Sequence, residues 1–208
     1  MYREGAGYPW LYHQSFNMMV DFCIWVLEQD GLQIPPFDAH SDGDGMLRRA
    51  GLQTSEWESW LVHIVELQHQ QAQILRQKAG TNKGQMAIPH FLYDAHDPPT
   101  AWLGTASVKE CLYPMWEQYK MLSRQRKKWE KSVAKQWRAS GANQRLWTDL
   151  QSYRAYVPSL TIYLVEYSRL VEYLIPPMSG ILTLNSDPFN SEDFHRRVLH
   201  TAECLSLA

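Results

Sequence analysis

Cysteine is scarce in this chain: Cys23, Cys111 and Cys204 are the only three in 208 residues, and no two of them form a Cys-x-x-Cys pair. An odd, scattered set argues against a disulfide framework and a zinc ribbon, and it fits a reducing compartment. Long apolar runs are missing as well. The most apolar stretch, Phe16 to Leu27, falls short of the roughly 20 residues that a membrane span needs, and Asn17 and Asp21 interrupt it. The opening residues, Met1-Tyr-Arg-Glu-Gly-Ala-Gly-Tyr-Pro, hold no basic segment leading into an apolar one, so no secretory leader is expected and the expected location is cytoplasmic. Charge of one sign is also lacking. Twenty Lys and Arg against 22 Asp and Glu leave a net charge of −2, which gives no whole-molecule attraction to nucleic acid or to an anionic membrane. No Gly-x-Ser-x-Gly elbow, phosphate-binding loop, dinucleotide glycine fingerprint, His-Glu-x-x-His pair or kinase motif set occurs. The commonest enzyme classes therefore lack their signatures, and no cofactor is expected.

What the chain does have is an apolar fraction of 45% and a charged fraction of 20%, the balance of an ordinary globular protein. Its length suits one compact unit, so residues 1–208 are read as a single helical domain. Nine Trp and eleven Tyr are a surplus. Side chains of that size belong either to an aromatic core or to an interface.

Helical periodicity dominates. A first, largely apolar helix is expected from about Pro9 to Gln29, with His13, Gln14, Asn17, Asp21 and Glu28 as its narrow polar stripe and Asp30-Gly31 as its stop. A turn-rich loop (Ile34 to Gly45) and a short helix near Met46–Ala50 follow. Ser55-Glu-Trp-Glu58 has the spacing of a capping box and should open a helix to about Ala79. Residues 80–106 read as an irregular connection, long enough to suggest a function, whose Phe91, Leu92, Tyr93 and Trp102 imply that it packs down. A second capping box, Ser107-Val-Lys-Glu110, should open the longest helix, running to about Arg138, with Pro114 kinking it or delaying its start. A short helix is expected over Asn143–Tyr153. In 158–185 the heptad Leu160, Leu164, Tyr167, Val171, Leu174 favours a helix, whereas the residue types favour strands. The expectation is a helix for the first part and a short strand after Gly180. Ser191 should cap a last helix with Glu192 and Asp193 in its first turn. The fold expected is mainly α, an irregular helical bundle with a small β element near 160–185.

Three constellations could carry function. Lys120, Arg124, Lys127, Lys128, Lys131, Lys135 and Arg138 recur along one face of the longest helix, opposite a stripe (Leu112, Met115, Tyr119, Leu122, Trp129 and Val133) that is apolar apart from Arg126, and only Glu130 offsets them. Such a row suits an acidic protein partner or a phosphate backbone, with Trp137 and Trp147 as stacking platforms for bases; the bland alternative is a solvated face. Two Glu-x-x-His units, Glu66/His69 and Glu192/His195, have the spacing of di-iron bundle ligands, but Glu66 falls on a polar face and Glu192 in a first turn. Finally, Asp38, His40, Asp42 and Asp44, together with His90, Asp94, His96 and Asp97, would make a mixed metal site if their loops met, although Asp and Gly are also plain turn residues. The leading expectation is a non-enzymatic interaction protein (adaptor, assembly factor or subunit) that binds its partner through the basic helix and through Phe91, Tyr93 and Trp102. A nucleic-acid-binding protein is the second reading and a metal-dependent enzyme the third.

Overall fold

The computed structural model describes residues 12–31, 33–38, 45–81, 105–153, 155–157, 159–185 and 189–207. Along the chain these form strand β1 (Tyr12–Ser15), helix α1 (Met18–Asp30), strands β2 (Gln33–Ile34) and β3 (Phe37–Asp38), and helices α2 (Met46–Arg49), α3 (Thr54–Thr81), α4 (Ala106–Ala139) and α5 (Ala142–Leu150). A single 3₁₀ turn (Gln151–Tyr153) leads to strands β4 (Leu160–Glu166), β5 (Glu172–Ile175) and β6 (Ser179–Leu184) and to helix α6 (Ser191–Leu207). The protein is thus mainly α with a small mixed sheet. No helix among the described residues is long and apolar enough to cross a membrane. The chain divides into two compact units, Met18–Gln125 and the pair of segments Met1–Asn17 and Arg126–Ala208, with the boundary falling inside α4.

In the unit Met18–Gln125, α1 is buried from Met19 through Leu27. Phe22 is the hub of its aromatic core: its ring lies 4.8 Å from Trp116, 5.2 Å from Tyr119 and 6.1 Å from Trp60. Two buried carboxylates on α1 act as anchors. Asp21 Oδ2 accepts the Tyr119 hydroxyl proton at 2.5 Å, and Asp30 Oδ1 accepts the backbone N–H of Leu47 at 2.7 Å, capping α2 from a distant part of the chain. The remaining caps sit one or two residues before their expected positions. Glu56 Oε2 accepts the N–H of Gln53, the residue before α3, so the box closes on Gln53 and not on Ser55. At α4 the cap is Thr105, whose Oγ1 accepts the N–H of Val108. Pro114 lies inside α4 and does not delay it. The proline withholds a hydrogen bond from the carbonyl of Glu110, and both residues are exposed, so water can serve that carbonyl.

The other unit is built on the sheet, in the order β1-β4-β6-β5. The expected first helix from Pro9 is corrected here: Tyr12–Ser15 is a strand, paired in parallel with β4 (Tyr12↔Leu160 to Ser15↔Tyr163), and α1 starts only at Met18. His13 and Gln14 are therefore strand residues. The helix expected over the start of 158–185 is also overturned. β4 runs parallel to β6 (Thr161↔Ser179 to Glu166↔Leu184), and β5 pairs antiparallel with β6. β4 is buried on both faces up to Val165 and β6 throughout, so neither shows the polar–apolar alternation that marks a half-exposed strand. Their apolar residues join those of α6 in one core, with Leu160, Ile162, Leu164 and Leu182 against Phe194, Val198 and Ala202. The approach of α6 to the sheet is tight at Gly180, where a Cβ would come within 2.6 Å of Thr201 Cγ2. The cap of α6 is Asn190, whose Oδ1 accepts the N–H groups of both Glu192 and Asp193 at 3.1 Å; Ser191 is already the first helical residue.

Candidate functional site

The predicted basic face forms on a continuous helix. Arg124, Lys127, Lys128, Lys131, Lys135 and Arg138 are exposed, and Lys120 is half-buried. Lys120 is neutralised by Glu117 at 2.6 Å, and Arg138 Nε donates to the carbonyl of Ala134 at 3.1 Å. Among the described residues none pairs with the ammonium groups of Lys127, Lys128, Lys131 and Lys135. At about 1.5 Å of rise per residue, residues 127–138 set five cations along roughly 17 Å of rigid helix. Eight of the chain's 20 Lys and Arg fall in residues 120–138, against one of its 22 acids. Beneath them, Val133 and Trp137 are buried in the sheet unit, and Trp129 packs edge-on to Phe16 at 5.7 Å. Of the two proposed stacking platforms, Trp137 is closed off at 5% exposure and only Trp147, at 42%, meets solvent. Phe91, Tyr93 and Trp102 lie outside the described residues.

The Glu-x-x-His units do not assemble as metal ligands. Glu66 is exposed and its nearest charge contact is His63, at 4.0 Å. The second unit is occupied by an arginine. Arg145 on α5 reaches Glu192 Oε2 at 2.5 Å and places its Nε 3.1 Å from His195 Nδ1. A guanidinium only donates, so His195 Nδ1 must present its lone pair and Nε2 carries the hydrogen. That Nε2 comes within 2.9 Å of Asp149 Oδ2, off the line needed for a hydrogen bond, so the contact is a close polar approach between α5 and α6. The Arg145 hydrogen bond holds the Glu192 carboxyl below its ordinary range, and Glu192 in turn raises the Arg145 guanidinium. Among the described residues no three His, Cys, Asp or Glu are grouped to hold a metal ion. Of the loop residues, His40, Asp42, Asp44, His90, Asp94, His96 and Asp97 lie outside the described residues, as does the side chain of Asp38.

One arrangement escaped the sequence analysis. It joins β5 to the outer side of α6. Arg197, 2% exposed, donates from three nitrogens: to Thr183 O at 2.8 Å, to Val171 O at 2.5 Å and to Glu172 Oε1 at 3.2 Å. With one oxygen so held, Glu172 offers the other to His200, whose Nδ1 lies 2.7 Å from Oε2. His200 Nε2 is in turn 3.6 Å from Cys204 Sγ. A carboxylate, an imidazole and a thiol thus stand in line, with the two ring nitrogens facing opposite partners. Cys204 is partly exposed and His200 is 58% exposed, whereas Cys23 is fully buried and burial pushes its thiol up. His200 and Cys204 are four apart on a helix, a spacing visible in the sequence. Glu172 was not, because its position depends on β5 being a strand.

Two cavities of about 350 and 340 Å³ flank Phe189 and Phe194, the first bounded also by Trp129 and Leu184, the second by Phe16 and Leu164. Comparison of the chain with family models, with curated proteins and with solved structures finds no match.

Proposed function

We propose that the protein is a cytoplasmic, non-enzymatic interaction protein that docks an acidic protein segment on the basic face of α4. The observation that carries this reading is the row of four exposed lysines, Lys127, Lys128, Lys131 and Lys135, which no carboxylate among the described residues neutralises. A partner that sets carboxylates along about 12 Å of helix would complement the row, and the apolar side of the same helix segment, buried through Val133 and Trp137, keeps it rigid. A protein is favoured over nucleic acid because Trp137 is buried, which leaves Trp147 alone of the two stacking platforms open to a base. Phe91, Tyr93 and Trp102 belong to the same proposal as apolar contacts, the kind of side chain that anchors interfaces.

The test is affinity capture from native lysate after nuclease treatment, comparing the wild-type protein with K127E/K128E/K131E/K135E. These positions are solvent-facing, so the variant should keep the wild-type fold and melting behaviour. The expected result is a protein retained in stoichiometric amount by the wild type and lost from the variant. Equal retention by both would refute the assignment of this face. Companions that disappear on nuclease treatment would instead make α4 a nucleic-acid site.

A further inference from the structure

We infer that Cys204 is a reactive thiol, activated by His200 and Glu172, that exchanges with low-molecular-weight disulfides. The inference does not depend on the basic face of α4. It rests on the direction of each contact around the imidazole. Glu172 is engaged by the Arg197 guanidinium through Oε1 and so accepts at Oε2. His200 Nδ1 must therefore donate, which leaves the lone pair on Nε2, the nitrogen that faces Cys204 Sγ. A thiol beside a base that is itself oriented by a third group is the general form of an activated nucleophile. The arrangement is not that of a metal site, since one ion cannot bind both sides of one ring, and the carboxylate and the sulfur occupy opposite sides.

The small disulfide is itself the oxidant, so the electrons balance. His200 Nε2 takes the proton of Cys204 Sγ, and the thiolate attacks one sulfur of the small disulfide. A new Cys204 Sγ–S bond forms as the reagent's S–S bond breaks, and the departing thiolate takes the proton back from the imidazolium. The products are a mixed disulfide on Cys204 and one free small thiol. Disulfide exchange is favoured over acyl transfer for two reasons. Neither cavity flanking Phe189 is lined by Cys204, and exchange keeps its developing charge on sulfur, needing no oxyanion donors. Cys204 is itself partly exposed, which leaves it open to a small reagent.

The experiment uses the full chain as C111S, since Cys23 is fully buried and Cys204 is then the thiol that reagents reach. The protein is incubated with oxidised glutathione, and the rate and position of mixed-disulfide formation are followed by mass spectrometry. One equivalent at Cys204 is expected. The rate should fall roughly tenfold in H200N, in line with the loss of a general base in an open site, and less in E172Q. E172Q also loosens Arg197, so H200N, at a residue 58% exposed, is the deciding variant, and its circular dichroism should match the parent. An H200N rate within about twofold of the parent, or a Cys204 rate no faster than that of free glutathione with the same disulfide, would overturn the inference.

Discussion

Replacing Arg197 by Met keeps the length and apolar stem of the side chain and removes only the guanidinium. Three hydrogen bonds disappear, but they are not equal. Val171 O retains a second donor, the N–H of Thr183 at 3.0 Å, so its loss costs little. Glu172 keeps His200 and is 23% exposed, so solvent screens what the missing cation leaves behind. Thr183 O loses a charge-assisted bond in a fully buried strand, a loss of about 1.5–3 kcal/mol. Relief of the desolvation of a buried cation offsets part of the total. The net expectation is a destabilisation of about 1–2 kcal/mol. Read by hydrogen exchange, that is a loss of protection of roughly 5- to 30-fold in the peptides of β5 and β6, with α1 as internal reference. R197K should recover no more than half, because one ammonium cannot span three acceptors that a planar fork reaches together. A change in protection below about threefold in R197M would mean that the guanidinium does not tie β5 and β6 to α6, and the reasoning would fail.

Other perturbations test separate contacts. G180A forces a methyl against Thr201 Cγ2 and should destabilise by about 1–3 kcal/mol; T201S removes that carbon, so G180A/T201S should regain most of the loss in urea unfolding, and a double variant as weak as G180A would refute the clash. N190A deprives two N–H groups of their acceptor and should cost α6 about 0.5–2 kcal/mol, while S191A costs less than N190A. The depressed Glu192 carboxyl contributes stability above the ordinary carboxylate range and loses it as pH falls through its folded value. The melting-temperature gap between wild type and E192Q should therefore narrow from pH 6 to pH 3, and a constant gap would contradict the Arg145 pairing. Burial raises the Tyr163 phenol, so its contribution is whole below the ordinary tyrosine range and declines as pH climbs above it; Y163F should flatten the alkaline limb of the stability profile.

Where side chains face one way along a helix, the sequence showed it. The basic row of α4 and its apolar underside have opposite phases of one 3.6-residue period, and Val133 and Trp137 are buried while Lys131 and Lys135 are exposed. The caps were harder. Ser55, Ser107 and Ser191 have the residue type and spacing of caps, yet Gln53, Thr105 and Asn190 stand at the helix ends. Capping needs an extended residue just before the first turn, and composition alone does not say which of several adjacent polar residues that is. Tyr12–Ser15 eluded the sequence for another reason. Its strand hydrogen bonds come from β4, nearly 150 residues away, and nothing local announces such a partner.

The thiol line was hidden by that same non-local pairing. Leu160, Leu164, Tyr167, Val171 and Leu174 share a heptad, and on a helix Glu172 would stand on the face opposite them, beside Ser168 and Arg169. Strands buried on both faces give unbroken apolar runs, which periodicity cannot separate from a buried helix. Once β4 and β6 are paired, β5 is an edge strand and Glu172 stands within reach of α6. Helix α6 then has two roles set by phase. Phe194, Arg197, Val198 and Thr201 turn inward, and Arg197 fixes Glu172 from below. His200 and Cys204 follow four apart on the solvent side, where Glu172's free oxygen meets the first of them. The buried arginine and the partly exposed thiol are therefore two ends of one hydrogen-bonded chain. If that is so, R197M should slow disulfide exchange at Cys204 in step with its loss of protection in β5, and an R197M rate equal to the parent's would break the chain between them.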